Sequence, residues 1–241
     1  MNPLATHTAD NNFEELYLRL REKERRIYTD EEVAALPEIK ETHPHYAEWQ
    51  MRKQSAQRLI SHLQKKQRPL KILEVGCGNG WLSHCLAAIP ESKVIGADIN
   101  FTEIQQAASV FQHIPNLHFI YSAIDADTFE EKQFDTIVFA ASIQYFPSLP
   151  AVVNSVLKLL RPNGEIHILD SHFYSLPELK AARQRSLLYF QAAGFPEMMD
   201  WYFHHCLDDI GHHHYTLLYD PNSLFNKFLR NKNPFPWILI Q

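Results

Sequence analysis

Cysteine and glycine are scarce in this chain, cationic residues are outnumbered, and long apolar runs are missing. The three cysteines, Cys77, Cys85 and Cys206, are odd in number and lack metal-finger spacing. They fit free thiols in a reducing compartment rather than a disulfide framework. A formal net charge of −5 over 241 residues leaves no broad basic surface of the kind a general phosphate-backbone binder needs, so no nucleic-acid partner is expected. No apolar stretch approaches the roughly 20 residues of a membrane span. The opening MNPLATHTADNNF also lacks the charged-then-apolar pattern of an export signal. A cytoplasmic protein with no membrane span is the expectation. Only seven glycines are present, yet three of them, Gly76, Gly78 and Gly80, stand at alternate positions.

The chain is long enough to bury a sizeable core as one domain with decorations. Its first part is helical in character. Thr29 and Glu32 make a capping-box pattern, and Trp49, Ala56, Leu59, Ile60 and Leu63 form one helical stripe. The run REKERR at 21–26 mixes signs, places Glu22 and Arg26 four apart, and reads as a solvated helix face. From residue 71 short apolar runs alternate with helical segments: KILEV, KVIGAD, LHFIY, FDTIVFA and EIHILD are strand candidates. That alternation predicts a parallel sheet covered on both faces. RPNG at 161–164 reads as a turn and SLPELKAARQRSLLYFQAAG as a helix ending at Gly194. The chain closes with PFPWILIQ, a strand with no helix after it, which must pair antiparallel or lie at an edge.

The glycines follow the first strand and precede a helix, so the backbone there must approach a ligand closely. A dinucleotide fingerprint would need a third glycine at position 81, where Trp81 stands. A Walker-type loop would need G-K-[ST], which does not follow. Glu74 beside the turn is also poorly placed for a polyphosphate. A nicotinamide oxidoreductase therefore ranks third among the functional readings.

EVGCGNG resembles the first motif of class I S-adenosylmethionine-dependent methyltransferases, an acid followed by G-x-G-x-G. VIGADIN, YSAIDADTF, FDTIVFAASIQYF and VLKLLRPNGEIHI resemble that family's later motifs in the same order, over about residues 70–170. The resemblance implies an α/β, three-layer Rossmann-like methyltransferase fold with a seven-stranded mixed sheet and an antiparallel last strand. Residues 1–66 would form an N-terminal helical extension and 67–241 the cofactor-binding domain, with 171–212 a helical lid over the acceptor.

The implied cofactor is S-adenosylmethionine, with S-adenosylhomocysteine as product. Its implied contacts are Glu74, Gly76, Cys77, Gly78, Asn79, Gly80, Asp98, Ile99, Ile124, Asp125 and Ala140. Asp98 would take the ribose hydroxyls, with helix capping as its other reading. Ile124 would pack on the adenine face and Asp125 accept from its amine. Tyr46, Trp49 or Arg52 would stand near the methionine moiety.

Beyond the strand ends, His172 and Tyr145 are the candidate catalytic residues. The alternative for His172 is a surface or helix-capping role. Gln144, Tyr174, Trp201 and Tyr202 are the candidate acceptor contacts. His118 and His167, inside strands, read as packed structural residues. The histidines at 204–205 and 212–214 lack ligand spacing, so no metal is expected. The acceptor is expected to be a small apolar or aromatic molecule methylated on oxygen. A non-catalytic cofactor-binding module on the same fold is the alternative.

Overall fold

The computed structural model describes residues 11–124, 128–211, 213–227 and 233–241. Three helices come first: α1 (Asn11–Lys23), α2 (Asp30–Ala35) and α3 (Tyr46–Gln64). Strands β1 (Lys71–Val75), β2 (Lys93–Asp98), β3 (Leu117–Tyr121), β4 (Phe134–Ala140) and β5 (Leu160–Leu169) then alternate with α4 (Trp81–Ala87), α5 (Phe101–Val110) and α6 (Leu149–Leu157). The rest holds β6 (Phe173–Tyr174), α7 (Leu176–Ala193), β7 (His205–Cys206), β8 (Tyr215–Tyr219), α8 (Leu224–Lys227) and β9 (Trp237–Ile240).

The main sheet runs β3-β2-β1-β4-β5-β9-β8. Strands β1 to β5 are parallel, β9 lies antiparallel to β5, and β8 antiparallel to β9. The last strand thus enters between β5 and β8 rather than at an edge. β6 and β7 form a separate two-stranded ladder.

Alternation along the strands assigns the two faces. Ile72 of β1 joins Leu59, Leu63, Leu82 and Leu86 of α3 and α4. Leu73 and Val75 join Val152, Val153 and Val156 of α6 on the other side. Both faces are apolar because both are covered, as a parallel sheet requires. A third cluster unites Phe13 and Leu20 of α1 with Phe190, Phe195 and Met198. It pins α1 to α7 and to the 3-10 turn Pro196–Asp200.

Local signals are obeyed where side chains and backbone agree. Thr29 and Glu32 cap α2 reciprocally, Pro150 lies in the first turn of α6, and Gly194 ends α7 at φ 80°. RPNG departs from the simple turn. It is drawn into β5 as a bulge, since Phe134 pairs with Leu160 but Thr136 with Glu165. Asn163 takes a left-handed φ of 64°, which its short polar side chain tolerates. The histidine expectations divide. His167 is wholly buried and receives the Trp237 indole N–H on Nδ1 at 3.2 Å, whereas His118 is exposed.

Gly80 sits at the head of α4 with φ 77°, and a Cβ there would lie 2.5 Å from the Phe119 ring. Left-handed strain and overpacking add, so Gly80→Ala is expected to cost about 2–4 kcal/mol. Urea denaturation of the purified variant checks this.

Candidate functional site

The turn after β1 is built from β2 and β4. The N–H groups of Gly76 and Cys77 donate to the Ala97 carbonyl at 2.8 and 3.2 Å, and Gly80 N–H closes the turn on the Cys77 carbonyl at 3.0 Å. Ser142, just beyond β4, donates to the Val75 carbonyl at 2.6 Å. A Cβ at Gly76 would lie 2.5 Å from the Ser142 Cβ. Gly76 and Gly80 are therefore demanded by the protein's own packing. Gly78 alone opens toward the site's acids, its absent Cβ facing Glu103 Oε2 at 3.2 Å with φ 51°.

Asp98 ends β2 and locks this turn. Its Oδ2 accepts from Gly78 N–H at 2.7 Å and its Oδ1 from Asn100 N–H at 2.8 Å. Helix capping belongs to Asn100, whose side chain accepts from Glu103 N–H at 3.0 Å. The capping alternative for Asp98 is thereby filled by another residue. Glu103, in the first turn of α5, was missed in the sequence because a helical Glu there looks like an ordinary N-terminal acid. Burial, and then the charge of Asp98, push its carboxyl up to about 8. Glu74 is also pushed up to about 8 by burial, although Ser83 Oγ donates to it at 2.5 Å.

A cavity of about 220 Å³ opens on this arrangement, at the carboxyl ends of the strands where open α/β sheets bind ligands. Gly76, Gly78, Asp98, Ile99 and Ile124 line it, and Phe13, Tyr17, Tyr145 and Phe146 close its aromatic side. A smaller polar cavity of about 100 Å³ adjoins it, bounded by Glu74, Cys77, Asn79 and Ala140. Arg21, Arg26, Trp49 and Arg52 complete that wall. Of the three N-terminal candidates, Trp49 and Arg52 line this cavity, whereas Tyr46 does not.

The residues fit the implied cofactor. Asn100 Nδ2, in a side chain lining the larger cavity, is buried without a hydrogen-bond partner among the described residues. Asp98 and Glu103, both with raised pKa, line that same cavity, so bound hydroxyls or an ammonium group would relieve them. Guanidinium groups at the other end suit a carboxylate.

Several expected positions fall elsewhere. Gly80 lines neither cavity and serves the packing of Phe119. Asp125 lies outside the described residues. His172 packs against Phe235 at 4.6 Å between ring centroids and lines neither cavity, because the chain turns from β5 into β6 there. Ser175, rather than His172, caps α7. Tyr174 stands against His172 and His204, and Trp201 against Phe13 at 5.2 Å, both away from the cavity walls. The Gln144 amide braces its own turn, donating to the Ala141 carbonyl at 2.6 Å and accepting from Ser171 at 3.0 Å. Tyr145 does reach the cavity. Its hydroxyl accepts from Arg21 Nη2 at 2.9 Å.

REKERR is solvated only in part: Glu22, Lys23 and Arg25 are exposed, whereas Arg21, Glu24 and Arg26 are half-buried. Arg21 bonds Glu24 at 2.8 Å and Arg26 bonds Glu48 at 2.6 Å, so residue 26 lies beyond α1 and does not pair with Glu22. The i, i+4, i+7 set Phe13, Tyr17 and Leu20 was the available signal that α1 packs inward. A separate trio, His62, Glu165 and His167, has its polar atoms within 4.8 Å of one another. Trp237 donates to His167 Nδ1, so Nε2 carries the proton and points it at Glu165, while Lys66 Nζ sits 2.6 Å from the same carboxylate. That donor set suits an internal ion network, not a metal.

This fold, with a glycine turn tied to a strand-end acid beside a partly aromatic cavity, defines a class I S-adenosylmethionine-dependent methyltransferase domain. The chain belongs to the methyltransferase-domain family, whose model matches residues 66–218. It is 30% identical over 123 residues to a malonyl-[acyl-carrier protein] O-methyltransferase of Halalkalibacterium halodurans, covering 47% of this chain and 45% of that one. It is 29% identical to a demethylmenaquinone methyltransferase of Lactococcus lactis, covering 51% and 49%. The chain thus spans about half the length of the curated relatives it matches. The YcgJ protein from Bacillus subtilis shares the fold, with a TM-score of 0.55 at 14% identity over 75% of this chain and 94% of that one.

Glu103 and Glu74 carry folded-state pKa values of about 8 against an ordinary 4.5. Between those values the folded protein keeps protons that the unfolded chain has lost. These two groups therefore contribute stability that is lost as pH rises from about 5 to about 8, opposed below about 6.5 by His84, His167, His172, His204 and His205, whose pKa burial lowers. Glu103→Gln is expected to remove roughly half of that slope. Denaturation midpoints of both proteins at pH 5, 6.5 and 8 check the sign.

Proposed function

We propose that this chain transfers a methyl group from S-adenosylmethionine to an oxygen of a small apolar or aromatic acceptor. The observation that carries this reading is the position of Tyr145, which shares one wall with the glycine turn and Asp98 and another with the aromatic cap. When bound, the cofactor supplies an activated methyl group with a neutral thioether as leaving group.

The chain's own residues would then bind, orient and exclude water. Asp98 and the unpartnered Asn100 amide would hold the ribose. Arg52, with Arg21 and Arg26 behind it, would hold the methionine carboxylate. Phe13, Tyr17 and Phe146 would keep water from the reacting oxygen, and positioning of this kind contributes most to such transfers. Tyr145, steadied by Arg21, would orient the acceptor oxygen. His172 has no part in this reading. O-methylation agrees with the names of several relatives, including the malonyl-[acyl-carrier protein] enzyme. Residues 1–66 would act as a cap rather than a separate binding module, in a cytoplasmic enzyme that needs no nucleic acid. Among the described residues no helix is long and apolar enough to cross a membrane.

Calorimetry with S-adenosylhomocysteine tests the cofactor half. Asp98→Ala is expected to weaken binding by about 2–3 kcal/mol, roughly 30- to 150-fold. Binding of NAD in its place would overturn the reading. Cofactor consumption screened against phenols, carboxylic acids and quinone-like lipids tests the transfer half. Tyr145→Phe is expected to lower kcat about tenfold or more while leaving the S-adenosylhomocysteine Kd unchanged. Binding without turnover across the whole screen would favour a non-catalytic module.

A further inference from the structure

A second recess of about 330 Å³ lies between α1 and α7, beside the cofactor cavity. Tyr145 lines both, so the two adjoin at its side chain. The recess is the size of a small-molecule pocket, for which about 300–1,000 Å³ is usual. Its wall includes Phe190, Tyr189 and Tyr202, a surface suited to the flat face of an aromatic ring.

The polar groups there are unequally committed. Glu24 is the one carboxylate in the lining, and it is already spent. Its Oε2 receives Arg21 at 2.8 Å and Arg26 at 3.2 Å, while its Oε1 receives the Tyr189 hydroxyl. Ser186 is engaged with His204 at 2.9 Å, and the Gln144 carbonyl with Ser171. Among the described residues the Arg185 guanidinium and the Tyr202 hydroxyl carry no hydrogen bond, and the Tyr145 hydroxyl, which accepts from Arg21, keeps its own proton to donate. Glu178, two turns before Arg185 on α7, is taken by the Ser175 N–H and hydroxyl at 2.9 and 2.6 Å. The recess therefore presents aromatic walls, spare donors and no spare carboxylate.

From this arrangement we infer that the α1–α7 recess is the acceptor site, and that the acceptor is an aromatic acid. Its carboxylate is held by Arg185 and Tyr202, and its reacting hydroxyl lies against Tyr145. The inference rests on the methyltransferase reading and adds the place and charge of the acceptor. A guanidinium favours a carboxylate over a carboxamide of the same shape by charge-assisted hydrogen bonding.

The test is equilibrium binding of 4-hydroxybenzoate and 4-hydroxycinnamate, each against its carboxamide, to protein saturated with S-adenosylhomocysteine. Wild type is expected to prefer the acids by about tenfold or more. Arg185→Gln is expected to abolish that preference, and Arg185→Lys to retain part of it, both with unchanged S-adenosylhomocysteine affinity. Equal binding of acid and amide, no binding of either acid, or a preference that survives in Arg185→Gln overturns the assignment. Failure of wild type to bind S-adenosylhomocysteine at all would instead strike the cofactor reading beneath it.

Discussion

The hydrogen bond from the Gly78 N–H to the Asp98 carboxylate ties the turn after β1 to the end of β2 at 2.7 Å, and the site is organised around it. A half-buried carboxylate is costly to keep charged, and desolvation raises its pKa against the pull of the Gly78, Asn100 and Ile99 N–H groups. Those donors hold it in place without neutralising it. Glu103 and Glu74 crowd the same region, so the pocket gathers three carboxyl groups at its centre. Such a pocket repels polyphosphates and favours a ligand rich in hydroxyl and ammonium donors. The acids, more than the glycines, set the ligand class.

The second constraint is the cap. α1 would be a marginal helix alone, since much of its length is charged. Phe13 and Leu20 bury themselves against Phe190, Phe195 and Met198, and this apolar contact brings Arg21 over Tyr145. The Arg21 guanidinium lies 4.7 Å from the Tyr17 ring centroid, and burial holds the Tyr17 phenol protonated well above its usual range. One face of α1 therefore does two jobs. It closes the cofactor cavity with rings, and it forms the near wall of the recess against α7.

How much of this could be read from the residues varied with distance along the chain. The strand and helix alternation from Lys71 to Leu169 was legible because each strand is a compact apolar run bounded by turn residues. Glu74, Gly78 and Asp98 were legible because the turn and the strand end are adjacent in sequence to the elements that position them. His172 was misplaced because the path from β5 into β6 depends on the β6–β7 pairing, which joins residues more than 30 positions apart. The fate of Arg21 and Arg26 was hidden for a like reason. Whether a charged side chain is solvated depends on what covers it, and their partners include Tyr145 and Glu48.

The sequence by itself determined the order of elements, the glycine turn and the acid that meets it, because local propensity and short-range spacing suffice for each. Only the tertiary structure decided that β9 enters between β5 and β8, that Gly76 and Gly80 answer to Ser142 and Phe119, and that α1 walls the site. Those outcomes depend on which apolar faces meet across long sequence separations. Burial and charge at any one residue are set by its neighbours in space, and the chain order does not name them.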